Sequence, residues 1–246
     1  MHEEPRERCR RYRRRILDLS QHATAMHVAP AFSCIEIIDT IYDIMRPHDV
    51  FILSKGHGAV ALYVILEDRG VLSGIEHLGT HPDYGTPGIA ASTGSLGHGL
   101  AIAVGRAIAA PKSNVYVLLS DGEMQAGSTW EAMLVAANLR LRNLIALVDN
   151  NDFTGLDKIS TTWPAFYPIG AKSAAFSWES MTCNGHSWQS IMQRFTMRSG
   201  KMPFMLICTT CKGRGVSFME NAPIWHYRGL NAEEYALAVA ELEEAK

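Results

Sequence analysis

No run of about 18 apolar residues occurs in the chain, so nothing in it reads as a membrane-spanning helix. Neither sign of charge dominates. The formal net charge is -2, which excludes a molecule built as a whole for nucleic acid. Cysteines are few and odd in number. Cys9, Cys34, Cys183, Cys208 and Cys211 are scattered, which does not make a disulfide framework and leaves the cytoplasm as the default compartment. Only Cys208 and Cys211 have a CxxC spacing, which offers half a zinc site or a redox pair. The blander reading is that they straddle the end of the apolar run Phe204–Ile207, a candidate strand. No apolar stretch follows the arginine-rich start, because Asp18, Ser20 and Gln21 interrupt it, so a secretory signal is not expected. Internal repeats and low-complexity linkers are also missing.

What is present suits one sizeable α/β domain spanning 1–246. Arg6 to Gln21 reads as a very basic helix with a solvated or partner-contacting face, nucleic-acid contact being the alternative. Ser33 to Met45 has Ile37, Ile38, Ile41 and Ile44 at helical spacing. Val50–Leu53 is a short apolar segment that runs into Ser54-Lys-Gly-His-Gly58 and a helix to about Asp68. Gly79–Gly97 is a long loop rich in Gly, Pro, Thr and Ser, a type that tends to be functional. Leu96–Ala109 reads as a buried helix.

A regular alternation follows. Asn114–Leu119, Asn143–Val148, Phe176–Cys183 and Phe204–Cys208 read as strands. Ser128–Leu139, Pro164–Ala175 and Trp188–Arg198 read as the helices between them. Asn231–Glu244 closes the chain as a helix with Asn231 as its N-cap. Strands alternating with helices imply a parallel sheet covered on both faces.

In such a sheet ligands bind beyond the carboxyl ends of the strands. One strand ends in Ser120-Asp121-Gly122-Glu123 and the next in Asp149-Asn150-Asn151-Asp152. Either segment alone is explained by turn chemistry. Together they can offer a carboxylate and an amide oxygen to one hard cation, and Gly122 allows a phosphate close to the backbone.

Asp121 and Asn151 stand 30 residues apart, a spacing that resembles the metal motif of the thiamine-diphosphate fold. DGEMQAGSTWE (121–131) and LIALVDNND (144–152) resemble transketolases. So do Met26-His27 followed by Ser33, FILSKGHG (51–58), and His81-Pro-Asp-Tyr with Pro87-Gly88 and Thr93-Gly-Ser-Leu-Gly97. KGRGVSFMENAPIWH (212–226) resembles the end of this domain in transketolases encoded as two chains. The segments run in family order across nearly the whole chain.

The resemblance implies thiamine diphosphate and Mg²⁺ as cofactors, with Ca²⁺ or Mn²⁺ able to substitute. The metal would take Asp121, Asn151 and the Phe153 carbonyl. His57, Gly94, Leu96, Gly122 and His226 would line the cofactor. His27, His81 and His226 would be catalytic, holding substrate hydroxyls and moving a proton. His2, His22, His48, His77 and His186 read as structural or surface residues, and His98 is unassigned. The activity implied is transfer of a two-carbon ketol unit from a ketose, a sugar or sugar phosphate, to an aldehyde acceptor.

Full-length transketolases continue into a pyrimidine-binding domain that carries the glutamate contacting the cofactor's aminopyrimidine. The resemblance therefore implies a C-terminal partner subunit in an α₂β₂ assembly. Two positions depart from the pattern. Ala126 replaces a usual glutamate of a cluster linking paired sites, to which Glu131 still belongs, and Met26 replaces the usual glycine before His27. The alternatives are a chain of another thiamine-diphosphate enzyme, 1-deoxyxylulose-5-phosphate synthase-like or 2-oxo-acid decarboxylating, or a non-catalytic homologue.

Overall fold

The computed structural model describes residues 3–155 and 157–244; His2 lies outside them. Five strands, β1 Val50–Leu53, β2 Val115–Ser120, β3 Leu144–Asn150, β4 Glu179–Asn184 and β5 Phe204–Thr209, form one sheet. Its order is β1-β2-β3-β5-β4 and every neighbouring pair is parallel. The helices are α1 Pro5–Ser20, α2 Val28–Phe32, α3 Ile35–Ile44, α4 Ala59–Asp68, α5 Gly99–Ala109, α6 Gly127–Asn138, α7 Ile159–Thr162, α8 Ile169–Ala175, α9 Trp188–Met197 and α10 Ala232–Glu244.

The period-two geometry of a strand divides the apolar side chains between two cores. Tyr116, Leu118, Ile145, Leu147, Phe204 and Leu206 point to one face and pack with buried residues of α1, α3, α4 and α10. Val115, Val117, Leu119, Ala146, Val148, Met205 and Ile207 point to the other and pack with α5, α6 and Ile169 of α8. Burial on both faces explains why β2, β3 and β5 read as continuous apolar runs.

The expected α/β class and alternation stand, with local differences. The expected helix Ser33–Met45 is α3, and a separate short helix, α2, precedes it. Pro164–Ala175 is a 3₁₀ turn at Pro164–Phe166 followed by α8. The prolines explain the break, since Pro168 has no N–H to continue the first turn. β4 starts at Glu179 rather than Phe176, because Ser177 has φ +62 and lies outside strand geometry. Val50–Leu53 joins the sheet as an edge strand beside β2. Asn231 caps α10 reciprocally: its side chain accepts the Glu234 N–H at 2.8 Å, and Glu234 accepts the Asn231 N–H at 2.9 Å.

Two surface expectations change. α5 is buried on one side only, with Ile102 and Ile108 exposed on the other. α1 is more than a solvated basic face: Tyr12, Ile16 and Leu17 anchor it in the core, while Arg6 and Arg11 stay exposed. Its arginines are spent inside the chain: Arg8 pairs with Asp39 and Asp43, Arg11 with Glu3 and Asp68, and Arg13 with Glu36. Arg10 pairs with Glu7, Arg14 with Asp18 and Glu243, and Arg15 with Glu67 and Glu76.

Candidate active site

The carboxyl ends of β1, β2, β3 and β5 deliver the polar residues to one rim of the sheet. β1 runs into Ser54 and Lys55, β2 into Asp121, β3 into Asn151, and β5 into Thr210 and Lys212. At the centre of the rim, Lys55 and Asp149 form a fully buried ion pair. Burial opposes both charges, but each ion holds the other, keeping Lys55 protonated and Asp149 below the usual carboxylate range. Asp149 also accepts from the hydroxyls of Ser33 and Thr210 and from Asn151 Nδ2 at 3.2 Å. Lys55 also donates to the Pro30 carbonyl at 3.0 Å. The pair thus knots together β1, β3, β5 and the α2–α3 corner.

Beside this knot, Asp121 is fully buried and accepts the N–H groups of Gly122, at 2.8 Å, and Asp152. Burial first, then the Asp149 charge, pushes it up to about 7. No lysine or arginine pairs with it among the described residues. Asn151 Oδ1 faces the Phe153 N–H at 3.1 Å. An ideal Cβ on Gly122 would meet Thr154 Cα at 3.4 Å and the Phe153 carbonyl at 3.6 Å, so the three expected metal donors share one corner. A buried carboxylate short of positive charge, an amide oxygen and a backbone carbonyl form a donor set that suits Mg²⁺. An open cleft of about 420 Å³ lined by Asn151, Phe153, Tyr167 and Thr210 leads to it.

The four expected histidines converge. The His27 ring stands 5.7 Å from His57, 5.7 Å from His81 and 5.2 Å from His226, and His57 stands 5.4 Å from His226. An antiparallel bridge between Met26 and Arg228 joins the segments that carry His27 and His226. Tyr227 lies over His27 at 4.5 Å with half its surface exposed. Met26 lines a side cavity of about 80 Å³ next to His27 and His57.

Desolvation, reinforced by the neighbouring His81, Lys55 and Lys212 charges, lowers His27 to about 4. Desolvation followed by Lys212 lowers His226 to about 3, and His57 is driven down by burial and then by Lys55. These three rings are therefore neutral at pH 7 and can accept a proton or a hydrogen bond.

The loop after His81 closes on the same space. Gly94 has φ +146, and a Cβ there would meet the His81 ring at 2.7 Å, so only glycine allows the ring to lie against the loop. Leu96 is exposed on that loop and His98 is exposed at the start of α5. Glu123 holds the loop from below, accepting the Gly97 N–H at 2.8 Å and the Ser54 hydroxyl. Ala126 precedes α6, and Glu131 on that helix is exposed.

The sequence pattern gave no role to Lys55, Asp149, Lys212 or Glu123, and His186 read only as a structural or surface residue. Lys212 is 2% exposed, yet its ammonium reaches the carbonyls of Thr154 at 3.3 Å and Gly155 at 3.2 Å, His226 Nδ1 at 2.9 Å, and the Phe153 ring face at 5.3 Å. Burial lowers it to about 8. The available signal was position: a lysine just past the end of a strand. The CxxC pair forms no site here. Cys208 Sγ lies 3.7 Å from Cys183 on the neighbouring strand, and all five cysteines are free. A hollow of about 1010 Å³ lies away from this rim, between α1, α9, α10 and the loop around Gly215.

Residues 17–243 match the family model for the transketolase, thiamine diphosphate binding domain. The chain belongs to the transketolase family. It is 35% identical to one of the subunits of the apulose-4-phosphate transketolase of Phocaeicola vulgatus, over 94% of this chain and 91% of that protein. It is 34% identical to one of the subunits of a 6-deoxy-6-sulfo-D-fructose transketolase from a Clostridium species, over 88% of each. Human transketolase is 34% identical over 76% of this chain but only 32% of its own length. The solved transketolase from Leishmania mexicana superposes with a TM-score of 0.86 at 23% identity, covering 99% of this chain and 42% of that one. This chain thus spans about two fifths of that transketolase and shares its fold over that stretch.

Proposed function

We propose that this transketolase-family chain is the diphosphate-binding subunit of a two-chain transketolase that moves a two-carbon ketol unit from a ketose to an aldehyde. The observation that carries this reading is the meeting of four histidine rings with the Asp121–Asn151 corner in one rim. Asp121, Asn151 and the Phe153 carbonyl hold Mg²⁺. Gly122 lets a diphosphate approach, and the Lys212 ammonium and His57 face its negative charge. Gly94 and Leu96 line the cofactor from the loop side.

When bound, thiamine diphosphate supplies the nucleophilic carbon and the electron sink for breaking and making the carbon–carbon bond. His27 and His81 orient the donor's hydroxyls and carbonyl. Neutral His27 or His226 takes the proton from the hydroxyl of the donor as the bond breaks and returns it to the acceptor. Packed rings and the Tyr227 ring exclude water from this step.

The chain cannot close the site alone. Ile102 and Ile108 of α5, Leu134 of α6, Leu139 just after it and Trp163 just after α7 are all exposed. Exposed apolar side chains of this kind suit a partner subunit carrying the pyrimidine-binding domain, in an α₂β₂ assembly. Relatives named as subunits support the partner. Their names also support a ketose with an anionic end. Free cysteines fit the cytoplasm.

The test is reconstitution with the partner subunit, thiamine diphosphate and Mg²⁺, assayed against a panel of ketose donors. Turnover that requires both chains is expected, as is loss of cofactor binding in Asp121→Ala. No turnover of any ketose, together with unchanged cofactor binding in Asp121→Ala, would overturn the reading.

A further inference from the structure

His186 lies in the turn after β4, and both of its ring nitrogens are engaged. Nε2 accepts the Cys211 N–H at 2.8 Å. A backbone amide only donates, so Nε2 carries no proton and the ring's N–H is at Nδ1. Nδ1 lies 3.0 Å from Glu36 Oε2. Glu36 is paired in turn with Arg13 at 2.7 Å, and Arg13 also donates to the Phe32 carbonyl at 3.0 Å. Burial would raise Glu36, but Arg13 and then His186 hold it down at about 2, so it is ionised and accepts from the ring. The arrangement is a guanidinium, a carboxylate and an imidazole in series, ending on one backbone N–H.

That N–H belongs to the residue before Lys212. The chain leaving β5 is tied at each step. Thr210 N–H donates to Asn150 at 3.1 Å, Cys211 to His186, and Gly213 to the Ala29 carbonyl at 3.0 Å, while the Lys212 carbonyl accepts from Asn221 at 2.8 Å. With its backbone held on both sides, Lys212 extends its ammonium to His226 and the 154–155 carbonyls. Arg13, Glu36 and His186 all line the 1010 Å³ groove on the far side, which none of the four clustered histidines touches. The His186 ring therefore acts on the site through the backbone at Cys211.

We propose that His186, oriented by Glu36 and Arg13, is a positioning residue that holds Lys212 at the diphosphate end of the site. The proposal rests on the cofactor-binding reading given above.

Thiamine diphosphate with Mg²⁺ is titrated calorimetrically into the full chain co-purified with its partner subunit. Wild type is compared with His186→Leu, His186→Gln, Lys212→Ala and the His186→Leu/Lys212→Ala double variant. His186→Leu is expected to weaken binding about tenfold or more, the usual scale for residues that orient a ligating group. His186→Gln, whose amide oxygen can accept the Cys211 N–H, is expected to recover most of that loss. In the Lys212→Ala background His186→Leu should add less than about twofold, because the two changes remove one interaction.

Equal losses in both backgrounds would mean that His186 acts by general destabilisation, which overturns the proposal, as does wild-type affinity in His186→Leu. Glu36→Gln removes the charge that orients the ring and pairs Arg13, and gives the same cycle against Lys212→Ala should His186→Leu fail to fold. A wild-type complex that binds no thiamine diphosphate overturns the underlying reading, a result distinct from either of these.

Discussion

At the sheet-rim end of the candidate site, Lys55, Asp149 and Asp121 are fully buried, and each polar contact joins a different strand end or corner. At the histidine end, three rings gather around His27 and the polar contacts are few, Lys212 on His226 and the Thr80 hydroxyl on His81 among them. His27 Nδ1 is buried with no hydrogen-bond partner among the described residues. The first end is part of the fold's framework. The second is carried on loops and 3₁₀ turns, and burial holds the His27, His57 and His226 rings neutral. Charges at the first end should therefore be expensive or cheap for folding according to whether they are paired. Rings at the second should matter for turnover and little for stability.

The strongest test of this contrast is Lys55→Met. It strands Asp149 in a dry interior, and breaking one side of a buried pair costs about 3–5 kcal/mol. A denaturant midpoint that hardly moves would break the comparison. Asp121→Asn should do the opposite. The Asp121 carboxyl is raised to about 7 in the folded chain, so its favourable contribution exists below the unfolded value near 4 and is lost as pH rises through 7. Without metal, the Asn variant should be more stable than wild type by about 4 kcal/mol at pH 7, with the gain vanishing toward pH 4, as read from denaturant midpoints against pH. The same substitution should weaken Mg²⁺-dependent cofactor binding, so stability and function part company at one residue.

At the other end, His81→Ala should lower kcat of the assembled enzyme about a hundredfold, near 3 kcal/mol on the barrier, while the melting temperature stays within about 1–2 °C. A large fall in melting temperature would show that the ring is framework after all. His98→Ala, exposed at the start of α5, should leave both quantities near wild type.

Much of the rim was legible because it follows from one-dimensional rules. Asp121 and Asn151 come at the ends of apolar runs, and a parallel sheet puts all such ends on one side. Single residues of the histidine end carried no such signal. His27, His57, His81 and His226 could be grouped only through resemblance to a family. The arginine-rich start misled in the other direction, because composition does not show that Asp39, Asp43, Asp68 and Glu67 lie across from it. The Pro164–Ala175 stretch reads as helix by composition, and the prolines divide it.

The sequence by itself determined the alternation of strand and helix, the two-sided burial of the sheet and the carboxylate and amide at its rim. These depend on local periodicity and on which residue follows a strand. Only the tertiary structure decided that Lys55 neutralises Asp149, that Lys212 turns inward beside His226, and that His186 holds the backbone next to it. Those contacts link residues 94, 14 and 25 positions apart, with geometry set by how the loops pack. A buried charge finds its partner through space, and no spacing rule along the chain encodes that choice.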